Sequence, residues 1–369
     1  MLAKIRLPLF FSLSLAGAVP ALAAGIQLWD QSATGIGVSQ AGSAATAENS
    51  SALFYNPASM TLLPGVQASA GYAGIQTQYQ FQTGDDAGRW TSLPNASLTA
   101  QLAPKLFAGV GVTTPFSLNT RYGDNWVGNN QAIYSRLRTV NVNPALAYQV
   151  NDKVALGVGL NIQKADLDLT STGAAFSGDD TAYGWNAGGL FTLSPAMRVG
   201  VAYRSAMRYK LEGTNNGEAA QANLKLPATM TLSVWQQVSE QWEAMGDLSY
   251  TRWSGQGDLG VANGGTAFGG KNAWRVAWGA AYKANDAWKL KFGIAYEQSP
   301  VTLGNRTARL PDDDQLRLSV GAQWKTPGYG VFDFGYSYVY IKEPGVSNGV
   351  QGNYDAGAHI VGVQYSAGF

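Results

Sequence analysis

The sequence of 369 residues is long enough for one large domain or two ordinary ones. It contains no cysteine, which excludes disulfides and thiolate metal sites, and its formal net charge of +1 gives no electrostatic case for a nucleic-acid partner. Charged residues are only 13%, about half the usual share, while Gly, Tyr and Trp are plentiful, a composition suited to a sheet with one face in lipid.

The N-terminus reads as a secretory signal. Lys4 and Arg6 precede a short apolar run, Leu7 to Val19, and Ala21-Leu22-Ala23 has the small-x-small cleavage pattern. This predicts a signal peptide over residues 1–23 and a mature start at Ala24; loss of the two bases leaves the mature chain slightly negative. An uncleaved anchor is the alternative, but the run is short for a span and nothing later stops transfer. After Ala24 no stretch approaches the ~18 apolar residues that a membrane helix needs. An exported chain without a helical anchor is either a soluble periplasmic protein or a β-barrel.

Residues 24–63 carry small residues and helix-forming stretches without alternation. Because they precede the first strand, they are expected in the periplasm or inside a barrel, and are read as a plug. From residue 64 the pattern changes. Ile75-Gln76-Thr77-Gln78-Tyr79-Gln80-Phe81 alternates on nearly every residue. Period-two runs follow at Leu106–Val112, Val154–Ile162, Met230–Val234, Trp274–Tyr282, Trp288–Tyr296, Leu316–Trp324 and Phe332–Tyr340. Strands with one apolar face and one small or polar face produce this signal.

Two features select a membrane barrel. Tyr72, Tyr79, Phe81, Trp274, Tyr282, Trp288, Tyr296, Trp324 and Tyr340 fall at strand ends, where amphipathic rings form interfacial girdles. The chain also closes on Phe369, in phase with Val361, Val363 and Tyr365. The expected fold is all-β, a fourteen-stranded antiparallel transmembrane barrel over residues 64–369 with an N-terminal hatch in its lumen, in the outer membrane of a Gram-negative bacterium. Short turns such as Val150–Lys153 and Ala284–Asp286 should face the periplasm. Gly84–Arg89, Thr120–Gln131, Ser171–Asp180, Thr214–Gln221, Gly255–Gly270, Pro300–Asp314 and Glu343–Tyr354 should be outer loops.

Chemistry is thinly represented. The one histidine, His359, has no nucleophile motif beside it, so a hydrogen-bonded or interfacial role is expected and no enzyme activity. Asp312-Asp313-Asp314 lacks the Gly and Glu spacing of a calcium loop and reads as a solvated loop segment, so no metal and no cofactor are expected. Arg136, Arg138, Arg306 and Arg309 lie in or beside outer loops and could meet a carboxylate, or simply be surface charge. Ile26, Leu28, Trp29, Phe54, Trp126 and Val127 are candidates for contact with an apolar ligand, or for packing the plug against the wall.

Several motifs, in order, resemble the FadL-type long-chain fatty-acid transporters. They are Ala24-Gly25-Ile26-Gln27-Leu28-Trp29, Ser32-Ala33-Thr34-Gly35-Ile36-Gly37, Tyr55-Asn56-Pro57-Ala58, Thr114-Pro115-Phe116-Ser117-Leu118-Asn119-Thr120 and Trp126-Val127-Gly128. Thr139–Pro144, Leu226-Pro227-Ala228, Tyr250–Ser254, Leu310–Asp314, His359 and Phe369 continue the set to the end of the chain. The resemblance implies a hatch built around Asn56, Pro57 and Ala58. It implies capture of a long-chain fatty acid or other hydrophobic molecule by residues such as Phe116, Arg138 and Arg309, and sideways exit through a kinked third strand. Leu106 to Phe116 is that strand by count; Pro115 lacks an amide hydrogen and Gly109 and Gly111 weaken pairing, although without the resemblance an ordinary strand ending at a proline-containing loop is the preferred reading. It further implies outer-membrane lipid, lipopolysaccharide and the barrel-assembly machinery as partners, and a tendency towards monomers. Where relatives often carry Gly-Arg-Tyr, this chain has Gly128-Asn129-Asn130, so aromatic or alkane hydrocarbons stay open as cargo. A general porin and a structural or adhesive barrel are the other readings; the plug argues against the first and the absence of long repeat-bearing loops against the second.

Overall fold

Fourteen antiparallel strands follow one another around a closed barrel. The computed structural model describes residues 26–254 and 270–369, with two short strands, Asp258–Leu259 and Thr266–Ala267, between them. The predicted signal peptide and most of the expected segment from Gly255 to Gly270 lie outside the described residues. The strands are β1 Val66–Phe81, β2 Trp90–Ala103, β3 in two pieces (Leu106–Thr113 and Ser117–Arg121), β4 Tyr134–Asn151, β5 Val154–Ser171 and β6 Ala174–Ser194. Then come β7 (Met197–Arg204 and Met207–Asn215), β8 (Glu218–Leu226 and Ala228–Gln237), β9 Trp242–Arg252, β10 Ala273–Lys283 and β11 Trp288–Glu297. β12 Gln315–Thr326, β13 Gly330–Ile341 and β14 Gly352–Gly368 complete the wall. β14 pairs with β1 from Gly368↔Gln67 to Tyr354↔Phe81, so the sheet has no free edge at its seam.

Several strands are longer than a membrane requires: β6 has 21 residues, against roughly 9–11 for one crossing. The surplus is at the end with the long connections, and there the two faces of the sheet exchange character. On β5, Leu156, Val158, Leu160 and Ile162 point outward and are exposed, whereas Lys164, Asp166 and Asp168 follow them on the outside and Leu167 and Leu169 are buried inside. β1 shows the same inversion. Gln76, Gln78 and Gln80 face out, while Ile75, Tyr79 and Phe81 are buried in the interior. Tyr79 and Phe81 are therefore not girdle residues, because the wall here has left the hydrocarbon layer. For the same reason Ser171–Asp180 and Thr214–Gln221 are not loops but ends of long hairpins. The second turns tightly on Asn216 (φ 54°) and Gly217 (φ 86°), both in the left-handed region that two-residue hairpins use. The outward rings of Tyr72, Trp274, Trp288, Trp324 and Tyr340 remain exposed, as girdles require.

Residues 26–63 lie inside the barrel. They form two one-turn helices, α1 (Ala33–Ile36) and α2 (Ala52–Tyr55), and a 3-10 turn, Pro57–Leu62. Asn56 caps that turn by accepting from Ala58 N at 2.9 Å, with Pro57 preorganised at its first position. The wall makes room by omitting side chains. Gly321, Gly335 and Gly362 are direct cross-strand neighbours on β12, β13 and β14. A Cβ at Gly335 would stand 2.7 Å from Ile36 and one at Gly362 2.6 Å from it, closer than packed atoms tolerate. Gly279 and Gly293, paired across β10 and β11, make the same allowance for Val38.

Candidate functional site

The lower interior is polar and filled. Residues 24–63 contain two acids, Asp30 and Glu48, and no Lys or Arg. Both acids meet cations on the wall. Asp30 receives Arg317 at 2.6 Å; Glu48 receives Lys291 at 2.6 Å and Lys289 at 3.2 Å. Lys291 also reaches Asp333 at 3.0 Å, and Lys289 reaches Glu243 at 2.8 Å. Burial disfavours ionisation of Glu48, but Lys291 and Lys289 more than offset it and hold its carboxyl well below the usual carboxylate range. Hydroxyl and amide contacts complete the docking: Ser39 to Ser319 at 2.7 Å, Ser50 to Ser69 at 2.8 Å, Ser43 to Asp247 at 2.5 Å, and Gln364 to Asn49 at 3.0 Å. Asn56 also donates to Ala44 O (2.7 Å) within the hatch and to Gly189 O (3.1 Å) on β6.

β3 is broken between Thr113 and Ser117. Its first piece pairs with β2 from Val112↔Ala96 to Leu106↔Ala103, and with β4 on the other side. Its second piece pairs with β4 alone, from Ser117↔Arg138 to Arg121↔Tyr134. Trp90 to Asn95 of β2 thus have no strand partner on that side. The hatch bonds instead to the backbone of the break itself. Leu28 N donates to Pro115 O (2.9 Å), Ser117 N to Ile26 O (3.0 Å), and the Gln31 amide both donates to Thr114 O and accepts from Thr114 N at 2.8 Å. Above the break, Asn119 Nδ2 donates to Trp90 O at 3.0 Å. Gly109 and Gly111 do not create this break, since both sit in continuous pairing on two sides. They are bare so that the hatch can approach: a Cβ at Gly109 would be 2.7 Å from Met60 Sδ, and one at Gly111 3.1 Å from Leu53.

The upper interior is apolar. One cluster runs from Ile26, Phe116 and Leu118 through Leu137, Leu167 and Phe176 to Leu224 and Trp253; a second joins Ile75, Tyr79, Phe81, Leu93, Val339 and Ile360. Outer connections cover it. Tyr122 stacks on Trp126 (3.8 Å, 9° between planes) and donates to Ala308 O at 2.7 Å. Arg309 pins residues 298–314 to the rim through the carbonyls of Tyr134 and Thr170, each at 3.2 Å. Burial pushes its pKa down to about 10, which leaves it cationic at neutral pH. Asp312, Asp313 and Asp314 are buried rather than solvated, held by Ser299, Arg306 and Tyr296.

Space inside is small. One cavity of about 90 Å3 is lined by Leu28, Ile75, Tyr79, Leu118, Asn119 and Ile341, among others. A second, of about 50 Å3, lies among Leu28, Trp29, Phe54, Pro115, Phe116 and Arg204. Each is well below the roughly 300–1,000 Å3 of ordinary ligand pockets. Outside the break, a groove of about 290 Å3 runs past Tyr72, Trp90, Pro94, Arg136 and Arg138. Thr91, Ser117, Leu118 and Asn119 line both this groove and the 90 Å3 cavity, so one layer of side chains separates lumen from membrane there.

The expected ligand residues divide accordingly. Ile26, Leu28, Trp29, Phe54 and Phe116 gather at the break and its cavities. Trp126 belongs to the outer cover. Val127, 63% exposed, points away from the interior, and Arg138 faces the outer groove rather than the lumen. His359 is on the outer face, its Nδ1 bonded to the Tyr336 hydroxyl at 2.9 Å. Gln31, Glu48, Asn119 and Arg204 escape a reading of apolar candidates. Their signal is phase: Lys289 and Lys291 alternate with lipid-facing Leu290 and Phe292, so they must face the lumen and require an acid there.

The sequence profile of the outer membrane protein transport protein family (OMPP1/FadL/TodX) matches residues 14–369. The chain is 27% identical to the long-chain fatty acid transport protein of Salmonella typhi, covering 89% of this chain and 90% of that one. It is also 27% identical to outer membrane protein P1 of Haemophilus influenzae, covering 92% and 91%. The fold superposes on a Pseudomonas aeruginosa FadL homologue with a TM-score of 0.84 at 21% identity, over 94% of this chain and 100% of that one. With the Pseudomonas putida toluene transporter TodX the TM-score is 0.72 at 19% identity, over 93% and 99%. A hatch docked by ion pairs, a wall broken at its third strand and a profile match over nearly the whole length agree: the chain belongs to the OMPP1/FadL/TodX family of outer-membrane transport proteins, and is a transporter rather than an enzyme.

Proposed function

We propose that the protein carries long-chain fatty acids or related hydrophobic compounds passively across the outer membrane. Ligand is captured beneath the outer connections, waits in the apolar upper interior, and leaves sideways through the break in β3. The observation that carries this reading is the division of the interior. Above, the lumen is lined by apolar side chains; below, it is packed with a hatch held by buried ion pairs. An alkyl chain gains roughly 0.8 kcal/mol per buried CH2 above and meets desolvated charges below, so the easy direction is sideways. Asn119 and the hatch residues Ile26 to Gln31 are what must move. The names of the relatives favour both fatty acids and toluene as cargo, and the apolar lining accommodates either.

The test is uptake of labelled oleate and labelled toluene by a strain lacking its own transporter, with and without this chain, alongside planar-bilayer conductance. Rescue of uptake with little steady conductance is expected. Large steady ion conductance without rescue of either compound would return the chain to a general porin.

A further inference from the structure

The groove outside the β3 break holds a cation without an anion. Arg138 is exposed on the outer face of β4, directly opposite Asp166 of β5. The two do not pair. Asp166 meets Lys164 instead, at 3.2 Å, and Lys164 also meets Asp179 at 3.1 Å. The next outward residue, Arg136, is 3.7 Å from Asp168, which accepts from the Ser177 hydroxyl at 2.7 Å. Arg138 lines the groove and makes no ion pair among the described residues. On the far wall the Trp90 indole donates to the Tyr72 hydroxyl at 3.1 Å, and that hydroxyl lies 2.8 Å from Ser92 Oγ, so the wall is fixed. Thr91, Thr114 and Asn119 add polar groups to the lining. Towards the membrane the outward residues are apolar: Leu98 on β2, Val110 and Val112 on β3, Val142 on β4. A free cation among polar groups, at the upper limit of an apolar face, is complementary to a lipid with an anionic head.

We infer that the groove seats the phosphate of a phosphorylated glycolipid of the outer leaflet, with Arg138 as its main partner and the acyl chains lying on Leu98, Val110 and Val112 below. A phosphate accepts two parallel bonds from a guanidinium and keeps oxygens free for neighbouring hydroxyls. Basic pockets at membrane level recognise lipid headgroups in this way. Arg138 therefore needs no acid from the protein, since the leaflet supplies the anion. Thr91, Ser117, Leu118 and Asn119 alone separate the groove from the 90 Å3 cavity. A seated headgroup stands across the outer mouth of the break, where β2 and β3 share no ladder, and excludes water there. Cargo that leaves sideways has to displace it. The lipid site stands on its own; its effect on passage rests on the transport reading above.

The experiment measures lipid binding to the purified full-length protein by native mass spectrometry. The probes are lipid A with both phosphates, the same lipid stripped of its phosphates, and phosphatidylglycerol, with inorganic phosphate as competitor. The wild type is compared with Arg138→Gln, Arg138→Lys and Lys105→Gln, the last a cation on the short turn between β2 and β3. The wild type should prefer the phosphorylated lipid A. Arg138→Gln should weaken that binding roughly three- to tenfold and leave the stripped lipid unaffected. Arg138→Lys keeps the charge but not the paired geometry and should fall between, while Lys105→Gln should change nothing. Equal binding of both lipid A forms by the wild type, or unchanged binding by Arg138→Gln, overturns the inference. Equal affinity for phosphatidylglycerol overturns the glycolipid as occupant, and full competition by inorganic phosphate overturns a lipid altogether. In cells Arg138→Gln should raise the initial rate of oleate uptake, because no held headgroup has to be displaced; an unchanged or lower rate overturns the role at the mouth. Failure of the wild type to take up any cargo overturns the transport reading, and the lipid-binding ratios still decide the site.

Discussion

Glu48 offers the sharpest test of how the hatch is held. Glu48→Gln removes the charge that meets Lys291 at 2.6 Å and Lys289 at 3.2 Å but preserves the side-chain shape. Neither lysine is stranded, since Asp333 stays 3.0 Å from Lys291 and Glu243 stays 2.8 Å from Lys289. The cost is therefore that of charge-assisted bonds becoming neutral ones, about 1.5–3 kcal/mol, and not that of an abandoned buried charge. If that energy acts on docking, the ratio of undocked to docked hatch rises roughly 10- to 100-fold. Lys291→Met should do more, because it leaves the buried Asp333 without a cation, about 3–5 kcal/mol. Planar-bilayer recording measures this as the frequency of opening events, with the thermal stability of the barrel as a control that the wall is unaffected. An event frequency for Glu48→Gln within twofold of the parent would refute the reasoning. The pH dependence has a definite sign. Glu48 is held below its ordinary value of 4.5 when docked, so its contribution is complete above that value and is lost as pH falls below it. Opening should be flat between pH 8 and pH 5 as far as Glu48 governs it, and should rise only in stronger acid.

Other outcomes follow from the same contacts. Because the chain has no native cysteine, a Ser39→Cys, Ser319→Cys pair can tether hatch to β12 without background; oxidation should abolish uptake and reduction restore it. Asn56→Ala removes a cap and two carbonyl contacts, and should raise conductance and lower the temperature of hatch release, consistent with about 1–3 kcal/mol. Gly335→Ala places a methyl against Ile36 and should loosen the hatch by about 1–3 kcal/mol, visible as added conductance with unchanged strand content by circular dichroism. Pro115→Ala should leave uptake nearly unchanged, because Gln31 and Leu28 hold the break; Gln31→Ala should impair it, and the opposite order in an uptake assay would mean that proline itself sets the kink.

The barrel was legible because lipid imposes a strict two-residue period, and runs such as Trp274–Tyr282 keep it throughout. The same rule misled above the membrane. There the Ile75–Phe81 run alternates just as cleanly, but with its apolar face inward, and a single sequence does not say which side is wet. Polar outward residues in Ser171–Asp180 imitated a loop for the same reason. The hatch was recognisable as a segment that did not alternate, and Asn56-Pro57-Ala58 as its anchor. Its fastenings were not, since Glu48 gains meaning only from lysines about 240 residues away. The break at Thr114–Phe116 was locatable from Pro115, but its true support, the Gln31 side chain, is a contact across 83 residues that no local pattern announces.

The exchange of faces along the wall bears on thermodynamics as well as topology. At the depth of Leu156 to Ile162 the dry medium is outside the sheet; at the depth of Leu167 and Leu169 it is inside. Between those depths two hydrocarbon-like phases stand on opposite sides of one sheet, and the β3 break lies at that crossover, where β4 turns from outward Val140 and Val142 to Arg138 and Arg136. A solute passing through it moves from one apolar phase to another without crossing water. On the proposed route its transfer free energy would be close to zero, and concentration alone would set the direction of flow.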